Sequence, residues 1–423
     1  MKNIIEIHTE KKTDEWVIPH NKSFANRALV IAALTKKVVT LKNIPMSSDV
    51  QTMLDCFRAI GIDFEMTQNN DAVRIHNSFL DADIKRNQSS DPLDVFCGDG
   101  GTTTRFLMAL LARGSSWYCL RPSLPMQKRP MKGLVQALVS LGAEIVEKKI
   151  DGDLVFYIKG PLREGPKTVE IDCSQTTQFL SAVLLVTHDL EVEVSPINIE
   201  GSYKYIEQTK DLINIFDSKI LNVQNTEEII VEIPVDSSSL SYPLVLGALR
   251  PPLKVLNCTQ LDPMQADSVF VEILKACGLN IDINAQGLKI DSASKNLRPL
   301  DIDASGFPDL APTLCLLASY IEGVSVIRNI GSLRFKECDR LAEMMKILKL
   351  FNIEVTLFDD VNLRITGVKG PSQVKSIEYQ APDDHRMIMI VALFMLLNSG
   401  GKISNYEHVK KSFPNYFSFL DSK

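Results

Sequence analysis

Five times along this chain the same pattern recurs, and it limits the available folds more than any other feature. Apolar residues at three- and four-residue spacing lead to a small or polar residue, and an alternating segment follows. The copies are VQTMLDCFRAIGIDFE at 50–65, MKGLVQALVSLGAEIVE at 131–147, IEQTKDLINIFDSKILNV at 206–223, ADSVFVEILKACGLNIDI at 266–283 and RLAEMMKILKLFNIEVTL at 340–357. The first spacing is that of an amphipathic helix, the alternation that of a strand with one covered face. Gly61, Gly142 and Gly278 stand at the break, where a helix end favours a left-handed residue, and Asn352 takes that place in the fifth copy. With copies about 60–80 residues apart, six units fill the 423 residues, the sixth ending at 416–423 with its strand missing.

A second helix type lies between the copies, at 26–34, 103–112, 179–187, 310–321 and 387–397. These segments are apolar nearly all round, so they belong at domain centres. The chain therefore reads as α/β, built from repeated two-helix units. A doubly wound nucleotide-binding sheet would need a GxGxxG turn, which is absent, and would not explain the repeat. The length suits two or three domains.

Composition narrows the partners. Acidic residues number 52 against 46 basic, a formal net charge of −6, which argues against a general nucleic-acid or anionic-membrane binder. The apolar run at 387–397 is shorter than the roughly 20 residues that span a bilayer. The N-terminal residues lack the apolar core of a signal peptide. The eight cysteines form no CxxC pair, so reduced thiols of a cytoplasmic protein are expected. Six histidines with no HExxH give no reason to expect a metal.

Polar clusters stand just before the buried or repeated helices: Lys22-Ser23 with Arg27, the turn 98–102 with Arg105, Thr176-Thr177-Gln178, Asp309, the run 336–340 and the run 383–386. A helix N-terminus has unpaired N–H groups and the positive end of the dipole, so each is a natural anion site. Each also has a plain reading: Ser, Thr and Asp are ordinary helix caps, glycine turns mostly bind nothing, and a charged run is often a solvated turn. What favours function is that the clusters share one kind of structural position. With Arg129 and Lys411, eight of the 46 basic residues fall at such positions, a density that suits a substrate with several negative charges.

Taken together the motifs resemble the enolpyruvyltransferase family, and within it the members that act on shikimate 3-phosphate. Pro19-His-Asn-Lys22-Ser23-Phe-Ala-Asn26-Arg27-Ala-Leu resembles PGSKSxxNRAL, and Gly98-Asp-Gly-Gly101-Thr102-Thr-Thr-Arg105 resembles GNAGTxxR. Lys128-Arg129-Pro130 resembles the ERP turn, and Thr176-Thr177-Gln178-Phe-Leu resembles SSQFL. Arg334-Phe-Lys336-Glu337-Cys-Asp339-Arg340-Leu matches RxKExDRL, Asp384-His385-Arg386-Met matches DHRM, and Lys411-Ser-Phe413-Pro414 matches KTFP. Seven motifs in order cover essentially the whole chain. The departures are His20 and Asn21 for glycine and serine, Asp99 for asparagine, Thr176 and Thr177 for two serines, and Ser332 for an asparagine.

The resemblance implies two similar domains, each of three βαβαββ units in an inside-out α/β barrel, closing around substrates. One domain would comprise 1–19 plus 237–423 and the other 20–236. It implies transfer of the enolpyruvyl group of phosphoenolpyruvate to the 5-hydroxyl of shikimate 3-phosphate by addition and elimination, releasing phosphate. Phosphoenolpyruvate would be held by Lys22, Gly101, Arg129, Gln178, Arg340, Arg386 and Lys411. Shikimate 3-phosphate would be held by Ser23, Arg27, Thr176, Thr177, Ser202, Tyr205, Asp309 and Lys336. Lys22, Asp309, Glu337 and His385 would carry the proton transfers, with no cofactor or metal and with the chain acting as a monomer. Gly101 would leave room for glyphosate, which occupies the phosphoenolpyruvate site in the family. Two rivals remain at this point. The sister enzyme acting on UDP-N-acetylglucosamine carries a reactive cysteine near the arginine turn, and residues 121–129 have none. A non-catalytic anion-binding relative is suggested by the changes at His20 and Asp99.

Overall fold

A computed structural model of the protein describes residues 3–86, 91–163, 167–199, 203–222, 228–292, 297–370 and 374–422. The chain divides into two compact units, Met1–Pro19 with Val235–Lys423 and His20–Pro234. The second crossing thus falls two residues ahead of the 236/237 boundary drawn from sequence.

Each unit is built on three nearly all-buried helices that pack on one another. In residues 20–234 they are Lys22–Leu34, Gly101–Leu111 and Gln178–Thr187. In the other unit they are Ser237–Leu249, Ala311–Ser319 and His385–Leu397. The apolar composition of five of these helices dictates their place. The sixth, Ser237–Leu249, lies outside the helices expected from sequence: four serines and an internal Pro243 weaken its local helical signal, yet Asp236 caps the start by accepting from Ser239 N at 3.0 Å.

The sheets repeat one connectivity: a parallel pair, then two antiparallel neighbours. Leu93–Gly98 lies parallel to Tyr118–Pro122, which pairs antiparallel with Asp153–Lys159, and that strand pairs with Glu144–Ile150. Asp301–Asp303, Gly323–Arg328, Asn362–Gly367 and Glu354–Phe358 follow the same order. A parallel pair needs a crossover, and the buried helix supplies it; the repeated helix then leads to the closing hairpin.

The amphipathic copies appear as the helices Ser48–Ala59, Lys132–Ser140, Val269–Ala276 and Arg340–Leu350. Gly61, Gly142, Gly278 and Asn352 all take positive φ at the break. The third copy departs from expectation. No strand begins after Ser218, because one helix runs from Tyr203 to Asn222. Leu212, Phe216 and Ile220 continue a single packed stripe, and no glycine interrupts it. The sixth unit does have its strand: Leu420–Ser422 pairs with Ile4–Lys11, which also pairs with Gly401–Ser404. Likewise Glu15–Trp16 joins Leu253–Val255, and Ile229–Glu232 joins Val39–Lys42. Distant segments thus complete the sheets that the local repeat leaves short.

All eight cysteines are free, seven of them buried, and among the described residues no helix is long and apolar enough to cross a membrane.

Asp83 illustrates how polar groups tie the loops down. It is 3 % exposed and accepts from Ser115 N at 2.7 Å, Ser116 N at 3.1 Å and Tyr118 Oη at 2.7 Å. Burial works against its charge, yet these hydrogen bonds hold the carboxyl below its ordinary value. A depressed folded value means the stabilisation is present above the unfolded value and lost as pH falls through the folded one. Asp83→Ala should therefore cost about 2–4 kcal/mol at neutral pH and progressively less as pH is lowered through the carboxylate range, read by urea denaturation across a pH series.

Candidate active site

In the unit 20–234, Lys22, Gly101 and Gln178 are the first residues of the three central helices. Three helix starts bring N–H groups that lack an intrahelical partner, and three positive dipole ends, to one end of the bundle. Side chains join them. Lys22 Nζ lies 2.8 Å from Asp49 Oδ2, and Asp49 is 3 % exposed. A Cβ on Gly100 would meet Asp49 Oδ1 at 2.8 Å, so this carboxylate also lies against the glycine turn. A Cβ on Gly101 would stand 2.7 Å from both terminal nitrogens of Arg129, so only glycine lets that guanidinium approach the helix start. Arg105, one turn on, donates to Gln178 Oε1 and to Pro130 O, the latter at 2.8 Å, which fixes both the glutamine and the arginine turn.

The remaining residues of this half form a second group. Arg27 is 2 % exposed and donates to Thr209 Oγ1 at 2.8 Å, Ser23 O at 2.9 Å, and Ser181 Oγ and Tyr205 O at 3.3 Å. Burial lowers it to about 10, which leaves it charged at neutral pH. Four of its five N–H groups thus serve protein acceptors, so its first effect is to set Ser23 and Tyr205. Thr176 Oγ1 accepts from Gln178 N at 3.2 Å, while Thr177 stands at the cap position without making a capping bond. Ser202 lies outside the described residues.

The other unit holds a denser cluster. Arg340, first residue of its helix and 2 % exposed, binds three carboxylates: Asp384 Oδ2 at 2.7 Å, Asp309 Oδ1 at 3.0 Å and Glu337 Oε2 at 2.6 Å. Asp309 also meets Arg386 Nη2 at 2.7 Å and Lys336 Nζ at 3.3 Å, and Glu337 Oε1 lies 3.7 Å from Lys411 Nζ. Burial opposes the Asp309 charge, but Arg386, Lys336 and Arg340 overcome it and hold the carboxyl far below the usual range. Burial likewise works against Arg340, and its three carboxylates raise it above its ordinary value, so its charge is fixed. Asp384 caps the helix His385–Leu397 by accepting from Arg386 N at 2.9 Å, which places buried His385 at the helix start. Lys411 ends the 3-10 turn Tyr406–Lys411, anchored by Phe413, whose ring meets Trp16 edge-on at 6.3 Å.

Asp49 and Asp384 were not chosen from sequence as site residues. Asp384 stood inside a motif already singled out, whereas Asp49 has the look of an ordinary acid in a first helical turn. Of the departures, Asn21 caps the helix Lys22–Leu34 by accepting from Phe24 N at 2.6 Å, a task the family serine can also perform. His20 is half-buried, and Asp99 sits half-buried in the turn ahead of Gly101. Ser332 lies in the turn Gly331–Phe335. Arg340→Met would leave three carboxylates without their shared partner, so a loss of about 3–5 kcal/mol is expected in urea denaturation, smaller in acid where the carboxyls take protons.

Comparison with known proteins bears on this geometry. The family profile described as EPSP synthase (3-phosphoshikimate 1-carboxyvinyltransferase) matches residues 10–420. A 3-phosphoshikimate 1-carboxyvinyltransferase of Buchnera aphidicola subsp. Baizongia pistaciae is 32 % identical over 418 residues, covering 96 % of this chain and 95 % of that protein. One of Shewanella baltica is 32 % identical over 415 residues, covering 95 % and 94 %. Among solved structures, EPSP synthase from Acinetobacter baumannii matches with a TM-score of 0.74 at 20 % identity, covering 99 % of both chains. The enolpyruvyl transferase NikO from Streptomyces tendae matches with a TM-score of 0.75 at 16 % identity, covering 100 % of this chain and 98 % of that one. The fold is the two-domain enolpyruvyltransferase fold, and the chain belongs to the EPSP synthase (3-phosphoshikimate 1-carboxyvinyltransferase) family.

Proposed function

We propose that the protein transfers the enolpyruvyl group of phosphoenolpyruvate to the 5-hydroxyl of shikimate 3-phosphate, releasing phosphate. Beside family membership, the observation that carries this reading is one cluster in which Asp309 and Glu337 are set among Lys336, Arg340, Arg386 and Lys411. The reaction needs both: cations for a carboxylate and a phosphate, and carboxylates for proton transfer.

In the addition step the 5-hydroxyl oxygen bonds to C2 of phosphoenolpyruvate and loses its proton, while the methylene carbon gains one. In the elimination the new methyl group loses a proton and the C2–O bond to phosphate breaks. Two proton transfers in each direction call for paired groups. Asp309 suits the hydroxyl. Its carboxylate is ionised in the free protein because cations surround it. An anionic substrate that engages Arg386 and Lys336 weakens their hold and makes Asp309 a better base. Glu337 and Lys22 suit the carbon and the leaving phosphate, with His385 assisting at its helix start. Lys22, Arg129, Gln178, Arg340, Arg386 and Lys411 are assigned to phosphoenolpyruvate. Ser23, Arg27, Thr176, Thr177, Ser202, Tyr205 and Lys336 are assigned to shikimate 3-phosphate. Monomeric action in the cytoplasm completes the reading; the free cysteines suit a reducing compartment, and sedimentation tests the monomer.

Phosphate should be released from phosphoenolpyruvate with shikimate 3-phosphate and not with UDP-N-acetylglucosamine; release with neither overturns the assignment. Glu337→Gln should lower kcat by about 100-fold or more, because the amide can neither take nor give the proton, while KM for phosphoenolpyruvate should not rise, since losing this charge only frees Arg340 and Lys411 for the anion. Gly101→Ala forces Arg129 aside, so KM for phosphoenolpyruvate should rise about tenfold with kcat less affected. Inhibition by glyphosate, competitive with phosphoenolpyruvate, should weaken in the same variant.

A further inference from the structure

One buried carboxyl beside the Arg340 cluster has no part in the chemistry above. Asp267 lies in the 3-10 turn Ala266–Ser268, which packs on the helix Ser237–Leu249. That helix also packs on the turn Pro308–Leu310, which carries Asp309, and on the helix His385–Leu397, which carries Arg386. Asp267 is 3 % exposed. Its Oδ2 accepts from Ser238 Oγ, and its Oδ1 is buried with no hydrogen-bond partner among the described residues. Among the charged groups around it, Asp309 and Asp236 oppose its ionisation and Arg386 favours it, each from a different element.

An ionised carboxylate with a bare oxygen in this place is costly. The neutral acid can carry its proton on Oδ2 and donate it to Ser238 Oγ, leaving only an uncharged carbonyl oxygen bare. We propose that Asp267 is held as the neutral acid and so acts as a positioning residue for anion binding, leaving the neighbouring cations a net positive charge for the substrate. The count makes the point. Lys336, Arg340, Arg386 and Lys411 face Asp309, Glu337 and Asp384, a net of one positive charge. Ionised Asp267 would cancel it and compete with the substrate for Arg386. Burial first, and then the Asp309 charge, push Asp267 up to about 7, in accord with this placement.

The consequence has a definite sign. Below that value the folded protein carries the proton; above it the proton leaves and anion binding weakens. Because the folded value exceeds the unfolded one, the group also removes stability as pH rises between the two. The inference rests on the proposed reaction, and D267N, the isostere of the neutral acid, tests it. KM for phosphoenolpyruvate at saturating shikimate 3-phosphate is measured at about pH 6 and about pH 8.5. The ratio of wild type to D267N should be near one at the lower pH and rise about three- to tenfold at the higher. Titration of phosphoenolpyruvate itself cancels in that ratio. D267N should also raise Tm more at the higher pH than at the lower. Parallel KM profiles, an equal Tm gain at both pH values, or a D267N chain that does not fold would each overturn the inference. Wild-type protein that releases no phosphate refutes the reaction instead, and the Tm comparison still decides whether Asp267 carries a proton.

Discussion

A single guanidinium organises the charged cluster of the unit that holds Val235–Lys423. Arg340 is almost wholly buried, and its three nitrogens each meet a different carboxylate. Those carboxylates come from three places: Asp309 from a turn before a central helix, Glu337 from the loop ahead of Arg340's own helix, and Asp384 from the cap of another central helix. Burial of one cation would be prohibitive alone, and so would burial of three anions; each makes the other tolerable. Arginine is the residue for this task, because its planar fork offers five fixed donors where lysine has a point charge. Remove it and the elements that carry Asp309, Glu337 and Asp384 lose the reason for their mutual placement.

The repeated fold explains why the groups proposed to bind anions accumulate where they do. Each unit has three central helices of the same kind, each entered from a parallel strand pair. Their starts gather because the units are copies, and contacts such as Lys22 with Asp49 and Arg105 with Gln178 record that gathering. A protein with net charge −6 can therefore bind anions without a basic surface. The field comes from a few Lys and Arg side chains added to helix ends that are already positive.

Much of this was readable from residues, and the exceptions have physical causes. The glycines at 61, 142 and 278 marked helix ends because few other residues take positive φ cheaply. Thr177 and Asp309 could have been mere caps. The structure removes that ambiguity for Asp309, whose carboxylate goes to Arg340, Arg386 and Lys336. The helix at Ser237–Leu249 escaped notice because its serines and Pro243 contradict local propensity, and tertiary burial overrides them. The strand lost from the third copy shows the converse: Ser218 is a weak breaker, and the Leu212–Phe216–Ile220 stripe carries the helix past it. Asp49 was invisible because nothing local to a first helical turn announces a lysine 27 residues upstream.

The charges of the Arg340 cluster also explain how one set of groups can serve both binding and proton transfer. Without ligand, Arg386 and Lys336 both pair with Asp309, so neither cation is left without an acidic partner. Under the proposed assignment, an arriving phosphate or carboxylate competes for the same donors. Each hydrogen bond that the cations give to the substrate is one they withdraw from Asp309, and the proton affinity of Asp309 rises as a result. In the proposed reaction, binding and activation are then the same event. A carboxylate held firmly ionised by its neighbours is a poor base until the substrate arrives, which keeps it from taking a proton from water in the meantime. Arg340 does not take part in this exchange to the same degree, because Asp384 and Glu337 remain on its other two nitrogens whatever happens at the third. The fixed pairings preserve the geometry while the exchangeable ones respond to the ligand.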